Sequence, residues 1–267
     1  MGRSEDAGAW SAQQYATFED ERTRPVRDLL AAVPAVVAHS VIDLGCGPGN
    51  STEQLGNRFA GASISGIDGS ADMVAAARRR LPAVRFEVAD IGHWLREEAT
   101  RRSFDVILAN AVLQWLPHHD EVFPALTAKL AQGGVLAVQM PDNLEEPAHR
   151  LMRATACDGP WAGKLHAAAG ARSSIGRADW YYALLRRAGC KVDIWRTTYC
   201  HALAGGAAAV VQWFEGSGLR PFLAPLDDAE RTEFLRRYQG AVAQAYPQLE
   251  DGSVLLPFPR LFIVAQA

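Results

Sequence analysis

The 267-residue chain is poor in cysteine, in unbroken apolar runs and in excess charge, and each shortage removes a class of function. The four cysteines, Cys46, Cys157, Cys190 and Cys200, are scattered. They form no C-x-x-C pair and no His/Cys ligand spacing, which argues against a disulfide framework and a structural zinc. No metal is expected. No apolar run approaches the roughly 20 residues that cross a bilayer. Residues 1–9 are small and polar, without the apolar stretch of a signal peptide, so a cytoplasmic protein without membrane contact is expected. Lys and Arg total 27 against 30 Asp and Glu, a net charge of −3. Without a basic field no nucleic-acid partner is expected, and any anion must be held by local arginines.

What the chain does have is order. From about residue 40 to 140, apolar strand-like runs alternate with helix-like ones. VIDLG (41–45), ASISGID (62–68), VRFEVAD (84–90), SFDVILAN (103–110) and GGVLAVQM (133–140) read as strands, with helical spacing between them. That alternation predicts an α/β fold with a doubly wound, mostly parallel sheet and right-handed crossovers. CKVDIWRTTY (190–199) and VLLPFPRLFIVA (254–265) add two late strands, for seven in all. Helical stretches at 145–187, near 206–215 and at 227–245 read as a small helical cap. The organisation expected is an N-terminal helical lid over 1–36, a ligand-binding core over 37–144, and the cap with the last two strands over 145–267.

The loop VIDLGCGPGNST carries glycines at 45, 47 and 49 between a strand and a helix. Glycine there permits a tight turn and close approach of a ligand to the backbone. A dinucleotide site wants G-x-G-x-x-G, hence glycine at 50, where this chain has Asn50. The pattern is D-x-G-x-G-x-G, with Asp43 inside the strand. Phosphate needs open backbone donors, whereas a carboxylate just before the loop suits an ammonium group. S-adenosylmethionine, zwitterionic at its amino-acid end and free of phosphate, fits that combination. Asp68 closes the second strand, where an acid accepts from ribose hydroxyls. Asp90 and Ile91 are expected at the end of the third, against adenine, and Asn110 ends the fourth, facing the crevice. Met73, on the following helix, is a further candidate for ribose or adenine contact. Tyr15 and Trp10 read either as a lid over the cofactor or as simple helix packing.

DLGCGPGNST, ANAVLQWLP, GVLAVQMPDN, VDIWRTTY, GSGLRPFL and FPRLFIVA together resemble the trans-aconitate 2-methyltransferases, from about Trp10 to Ala265. The resemblance implies a class I, Rossmann-like, S-adenosylmethionine-dependent enzyme that esterifies a carboxylate of a small tricarboxylic acid. It implies that Asp43, Gly45, Gly47, Asp68, Asp90 and Asn110 hold the cofactor. The chain departs from the family ahead of Tyr15, at Cys200 where a tyrosine is usual, and over 157–180. These departures fall in the expected lid and cap, so they bear on the choice of acid.

A carboxylate is already ionised at neutral pH, having a pKa near 4, so its methylation needs no general base. No catalytic acid–base residue is therefore expected; the site acts by positioning. A small polycarboxylate needs cationic anchors, and arginine supplies a bidentate fork. Arg24, Arg196, Arg220 and Arg260 are the candidates. Arg260 stands alone in the apolar run LLPFPRLFIV (255–264), where a permanent charge must either reach water or meet an anion. Arg24, Arg220 and Arg260 each adjoin a proline, which stiffens the backbone that carries them. Each also reads as a structural ion pair with an acid such as Asp28, Asp142 or Glu215. Tyr199 is either a donor to a substrate carboxylate or packing, and Gln114 and Trp115 line the transfer channel or the core. His118, His119 and Asp120 are expected on a solvated turn after Pro117. The competing functions are a methyltransferase for another carboxylate (carrier-bound malonyl or a natural-product acid), an NAD(P) oxidoreductase, and a non-catalytic binding protein.

Overall fold

The computed structural model describes residues 19–96, 103–170 and 174–267. In chain order the elements are α1 (Glu19–Ala32), β1 (Ser40–Leu44), α2 (Asn50–Arg58), β2 (Ser63–Asp68), α3 (Ala71–Arg80), β3 (Arg85–Val88), α4 (Ile91–Arg96) and β4 (Phe104–Asn110). They continue with α5 (His119–Thr127), β5 (Leu130–Pro141), α6 (Pro147–Cys157), α7 (Ala162–Gly170) and α8 (Ala178–Arg187). The last are β6 (Lys191–Ala204), α9 (Gly206–Glu215), α10 (Arg220–Leu223), α11 (Asp228–Ala245) and β7 (Ser253–Gln266). Trp10 and Tyr15 lie outside the described residues. None of the described helices is long and apolar enough to cross a membrane.

The strands form one seven-stranded sheet in the order β3-β2-β1-β4-β5-β7-β6. β3, β2, β1, β4 and β5 pair in parallel. β7 runs antiparallel to β5, because Asp142 N–H donates to Pro259 at one end while Ala267 N–H donates to Gly134 at the other. The expected doubly wound, mostly parallel sheet is what forms. Its central strands are covered on both faces: Val106, Ile107, Leu108 and Ala109 have no exposed surface at all. Such burial requires a continuous apolar run rather than alternation, and DVILAN supplies one. Leu261, Ile263 and Ala265 of β7 join the same core as Ile107, Leu136 and Val138.

By compactness the described residues divide into two units, one drawn from Trp10–Pro141, Ile175–Thr197 and Leu261–Ala267, the other from Asp142–Ser174 and Thr198–Arg260. The first holds the sheet core and the glycine loop. The second holds α6, α7, α9, α10 and α11, with the inner lengths of β6 and β7. Its longest helix, α11, opens with a capping box in which Asp227 accepts from Glu230 N–H while the Glu230 carboxylate accepts from Asp227 N–H.

Two local expectations change. β3 stops at Val88, so Asp90 and Ile91 are not its last residues. Asp90 instead accepts from His93 N–H at 2.7 Å, and Ile91 opens α4 with its side chain in the core. His118, in the left-handed region at φ 57°, turns the chain so that His119 begins α5. His119 is half-buried there rather than part of a solvated turn.

Candidate active site

β1 ends at Leu44 and delivers the glycine loop. Gly45 and Gly47 have φ of 67° and 54°, a region open to glycine and strained for other residues. A Cβ on Gly45 would lie 2.4 Å from Val112 Cγ2, so this turn is packed from above. A Cβ on Gly47 would meet no protein atom within 4 Å, which leaves space against its backbone. The loop's shape is held by Asp68 at the end of β2. Its Oδ2 accepts from Gly47 N–H at 2.9 Å and its Oδ1 from Ser70 N–H at 2.8 Å. Burial pushes the Asp68 carboxyl above its ordinary range, and the two backbone bonds pull it partly back.

Beneath the loop lies Asp43, with no exposed surface. Ser51 and Thr52, in the first turn of α2, both donate to its Oδ2, at 2.6 and 2.7 Å. Burial dominates these bonds and raises the Asp43 pKa to about 7. Among the described residues its Oδ1 has no hydrogen-bond donor. The same holds for Oδ1 of Asn50 and Oδ1 of Asn110.

Asn50 and Asn110 line a solvent-open cleft, together with Val26, Gly45, Cys46, Gly47, Pro48 and Ser51. The two buried atoms of this lining that await partners, Oδ1 of Asn50 and of Asn110, are acceptors, and the third such atom, Asp43 Oδ1, lies beneath the loop between them. An ammonium group presents three N–H donors and a positive charge, and matches such a wall; a phosphate, which only accepts, does not. This set of acceptors thus fits the amino-acid end of S-adenosylmethionine. The remaining cofactor candidates are distributed as follows. Met73 is buried at the start of α3, whose N-cap Ser70 accepts from Met73 N–H. Asp90 is exposed beyond β3.

Asn50, Ser51, Thr52, Val26 and Val112 were not singled out by the sequence. Asn50 stood out only as the residue that breaks the dinucleotide spacing. A serine–threonine pair eight and nine residues after an in-strand acid was the available signal for the bonds to Asp43.

The substrate-side candidates fall in both units. Arg260 is 4% exposed, with its guanidinium 4.6 Å from the Phe258 ring centroid and 5.9 Å from that of Tyr199. The arginine in the apolar run is therefore almost wholly buried. Around it, within the same unit, His201 stacks on Trp213 at 4.5 Å and meets Phe258 edge-on at 5.8 Å. His149 meets Phe214 at 4.9 Å. Arg220 opens α10 half-buried, and its desolvation lowers its pKa. In the other unit Arg24 and Arg196 are exposed, and Trp115 is 39% exposed. Gln114 is buried, its amide donating to Ala111 O at 2.6 Å.

Residues 42–136 match the methyltransferase domain family. A trans-aconitate 2-methyltransferase of Methylobacterium nodulans is 58% identical over 257 residues, 96% of this chain and 98% of the relative. The chain belongs to the trans-aconitate 2-methyltransferase family. A second member, from Afipia carboxidovorans, is 52% identical over 255 residues, again 96% of this chain and 98% of the relative. This trans-aconitate 2-methyltransferase homologue is thus an enzyme of the S-adenosylmethionine-dependent class.

Solved structures agree at the level of fold. The YcgJ protein of Bacillus subtilis superposes with a TM-score of 0.58 at 10% identity, covering 91% of this chain and 97% of that one. A Haemonchus contortus phosphoethanolamine N-methyltransferase, solved with phosphomonomethylethanolamine and S-adenosylhomocysteine, gives 0.54 at 16% identity, covering 91% of this chain and 52% of that one.

Proposed function

We propose that the protein forms the methyl ester of a carboxylate of trans-aconitate. The observation that carries the reading is the pair of buried acceptors on Asn50 and Asn110 that line the cleft, with the unpaired Asp43 Oδ1 beneath the loop and the open backbone at Gly47. The activity of relatives at 52–58% identity names the acid. S-adenosylmethionine supplies an electrophilic methyl on a sulfonium sulfur. Asp43, Asn50 and Asn110 hold its ammonium, Asp68 its ribose hydroxyls, and Gly45 and Gly47 admit its backbone-hugging portion; Met73, Asp90 and Ile91 flank the adenine side.

The acceptor oxygen is anionic at neutral pH, so no residue has to remove a proton. The chain's contribution is to align the oxygen with the methyl and to keep water from the carboxylate. Positioning of this kind lowers a barrier by about 7–11 kcal/mol. Arg260 and Arg220 of the helical unit hold the carboxylates that do not react, with Tyr199 as a neutral donor; Arg24, Arg196 and Trp115 are the candidates that the sheet unit carries. A buried guanidinium already stacked on Phe258 presents its edge with little loss of side-chain freedom. The four cysteines are free thiols, two of them exposed.

The test is direct. The protein is titrated with S-adenosylmethionine and with NAD, then assayed for methyl transfer to trans-aconitate, cis-aconitate, citrate and isocitrate. Binding of the first ligand alone, with ester formed fastest on trans-aconitate, is the expected result. Ester on none of the four acids removes the substrate and leaves the cofactor.

A further inference from the structure

The turn that follows β4 is strained, and it is tied down from outside the cleft. Ala111 sits at φ 54°, a conformation that costs a non-glycine residue about 1–3 kcal/mol and persists only when its surroundings over-determine it. Its N–H donates to Gln139 O at 2.8 Å, and its carbonyl accepts from the Gln114 amide at 2.6 Å. This turn carries the Asn110 acceptor at one end. One residue past Ala111 it places Val112 over Gly45.

The next residue, Leu113, is held by a histidine. Its carbonyl accepts from Leu116 N–H at 2.9 Å and lies 2.8 Å from His119 Nε2. A carbonyl only accepts, so Nε2 carries the imidazole proton. Nδ1 is then the acceptor, 2.5 Å from the hydroxyl of Tyr181, which donates to it. The same hydroxyl accepts from Gly176 N–H at 3.1 Å. Donation thus runs one way from Gly176 through Tyr181 and His119 to Leu113, with every polar atom in the relay matched. Tyr181 has no exposed surface, and Phe123 packs against both rings at 4.8 and 5.4 Å. The relay joins α8 and the segment before it to the turn above the glycine loop.

We propose that His119 is a positioning residue for methyl transfer, which with Tyr181 clamps the Asn110–Trp115 turn in the strained form that completes the cofactor cleft. The inference rests on reading that cleft as the S-adenosylmethionine site. It makes no use of His119 as an acid or base, and His119 need touch neither reactant. Its effect passes through Leu113 to Val112 and Asn110.

The experiment measures S-adenosylhomocysteine binding by calorimetry, steady-state constants for both substrates, and amide hydrogen exchange of residues 110–116 in the cofactor-free protein. His119→Ala is expected to weaken S-adenosylhomocysteine binding about tenfold and to raise KM for S-adenosylmethionine similarly, with KM for the acid within twofold of wild type. Exchange over 110–116 should quicken about tenfold. His119→Gln keeps a donor at the reach of Nε2 and should restore binding to within threefold. Tyr181→Phe removes one oxygen, leaves the packing, and should fall between the two. If His119→Ala fails to fold, Tyr181→Phe decides: wild-type binding together with wild-type exchange overturns the proposal. A lowered melting temperature with unchanged binding in His119→Ala likewise reduces the residue to a structural role. Failure of the wild-type protein to bind S-adenosylhomocysteine would instead overturn the reading of the cleft.

Discussion

Ser51 donates its hydroxyl to Asp43 Oδ2 at 2.6 Å from the first turn of the helix that leaves the glycine loop. Thr52 shares that oxygen, so one side of the carboxyl is served twice and the other has no hydrogen-bond donor among the described residues. The arrangement costs stability when no cofactor is bound. In the unfolded chain the carboxyl ionises near 3.8; in the fold burial raises this to about 7. The folded state therefore holds the proton more tightly, and its advantage is full below pH 4 and lost as pH rises through 7. At about 1.36 kcal/mol for each tenfold change in proton affinity, the effect is roughly 4 kcal/mol. Asp68 and Glu215, also raised by burial, act in the same direction. The melting temperature of cofactor-free protein should fall from pH 5 to pH 8. Asp43→Asn should flatten most of that slope and be the more stable protein at pH 8. Equal slopes in the two proteins would remove Asp43 as the cause.

The same carboxyl should exchange its proton for the cofactor. At pH 6 Asp43 is largely protonated, and an ammonium brought to its Oδ1 favours the ionised form. Binding of S-adenosylmethionine at pH 6 should release close to one proton, and at pH 8 far less. Calorimetry in two buffers of different ionisation enthalpy reads that number. The released proton should disappear in Asp43→Asn, along with tenfold or more of the affinity.

Gly45 and Gly47 should fail differently when changed to alanine. At Gly45 the new methyl meets Val112 at 2.4 Å in a backbone conformation that already disfavours it, so the turn must move or the protein unfold. At Gly47 the methyl meets no protein atom, and only the φ of 54° opposes it, at about 1–2 kcal/mol. Gly47→Ala should therefore fold and still lose S-adenosylhomocysteine binding, because the methyl occupies the ligand's space. Thermal melts beside binding isotherms separate the two outcomes. Normal binding by Gly47→Ala would mean that the ligand does not approach that backbone.

The strands and their order of use were legible because the buried central strands are near-continuous apolar runs, and DVILAN cannot easily be anything else. Asp43, Asp68 and Asn110 were legible because a parallel sheet brings strand ends to one edge. Asp90 lies two residues beyond its strand, and VRFEVAD carries no signal that the pairing stops at Val88. His119 looks solvated in the sequence because its partners, Leu113 and Tyr181, come together only through the fold; Tyr181 is 62 residues away. The set of three acceptors was half visible. Asp43 announced itself by its spacing, whereas the Asn50 acceptor depends on a helix start whose geometry no local pattern states.

Arg260 provides the test of how the acid is held. It is buried in the helical unit over Phe258 and Tyr199, so a replacement must be judged against lost packing as well as lost charge. Arg260→Lys keeps the charge and removes the planar fork and its stacking, the latter worth about 0.5–2 kcal/mol. Tyr199→Phe keeps the ring beneath the cation and removes only the hydroxyl. If the guanidinium grips a non-reacting carboxylate, Arg260→Lys should raise KM for trans-aconitate thirtyfold or more while S-adenosylhomocysteine affinity stays within twofold. Arg220→Lys should do the same to a smaller degree, because its side chain is only half-buried. Tyr199→Phe should raise KM for the acid about fivefold if its hydroxyl meets the substrate, and leave it unchanged if the ring serves only to seat Arg260. A loss confined to melting temperature, with acid kinetics intact in both arginine variants, would make these residues part of the helical unit's packing and leave the acid to be recognised elsewhere.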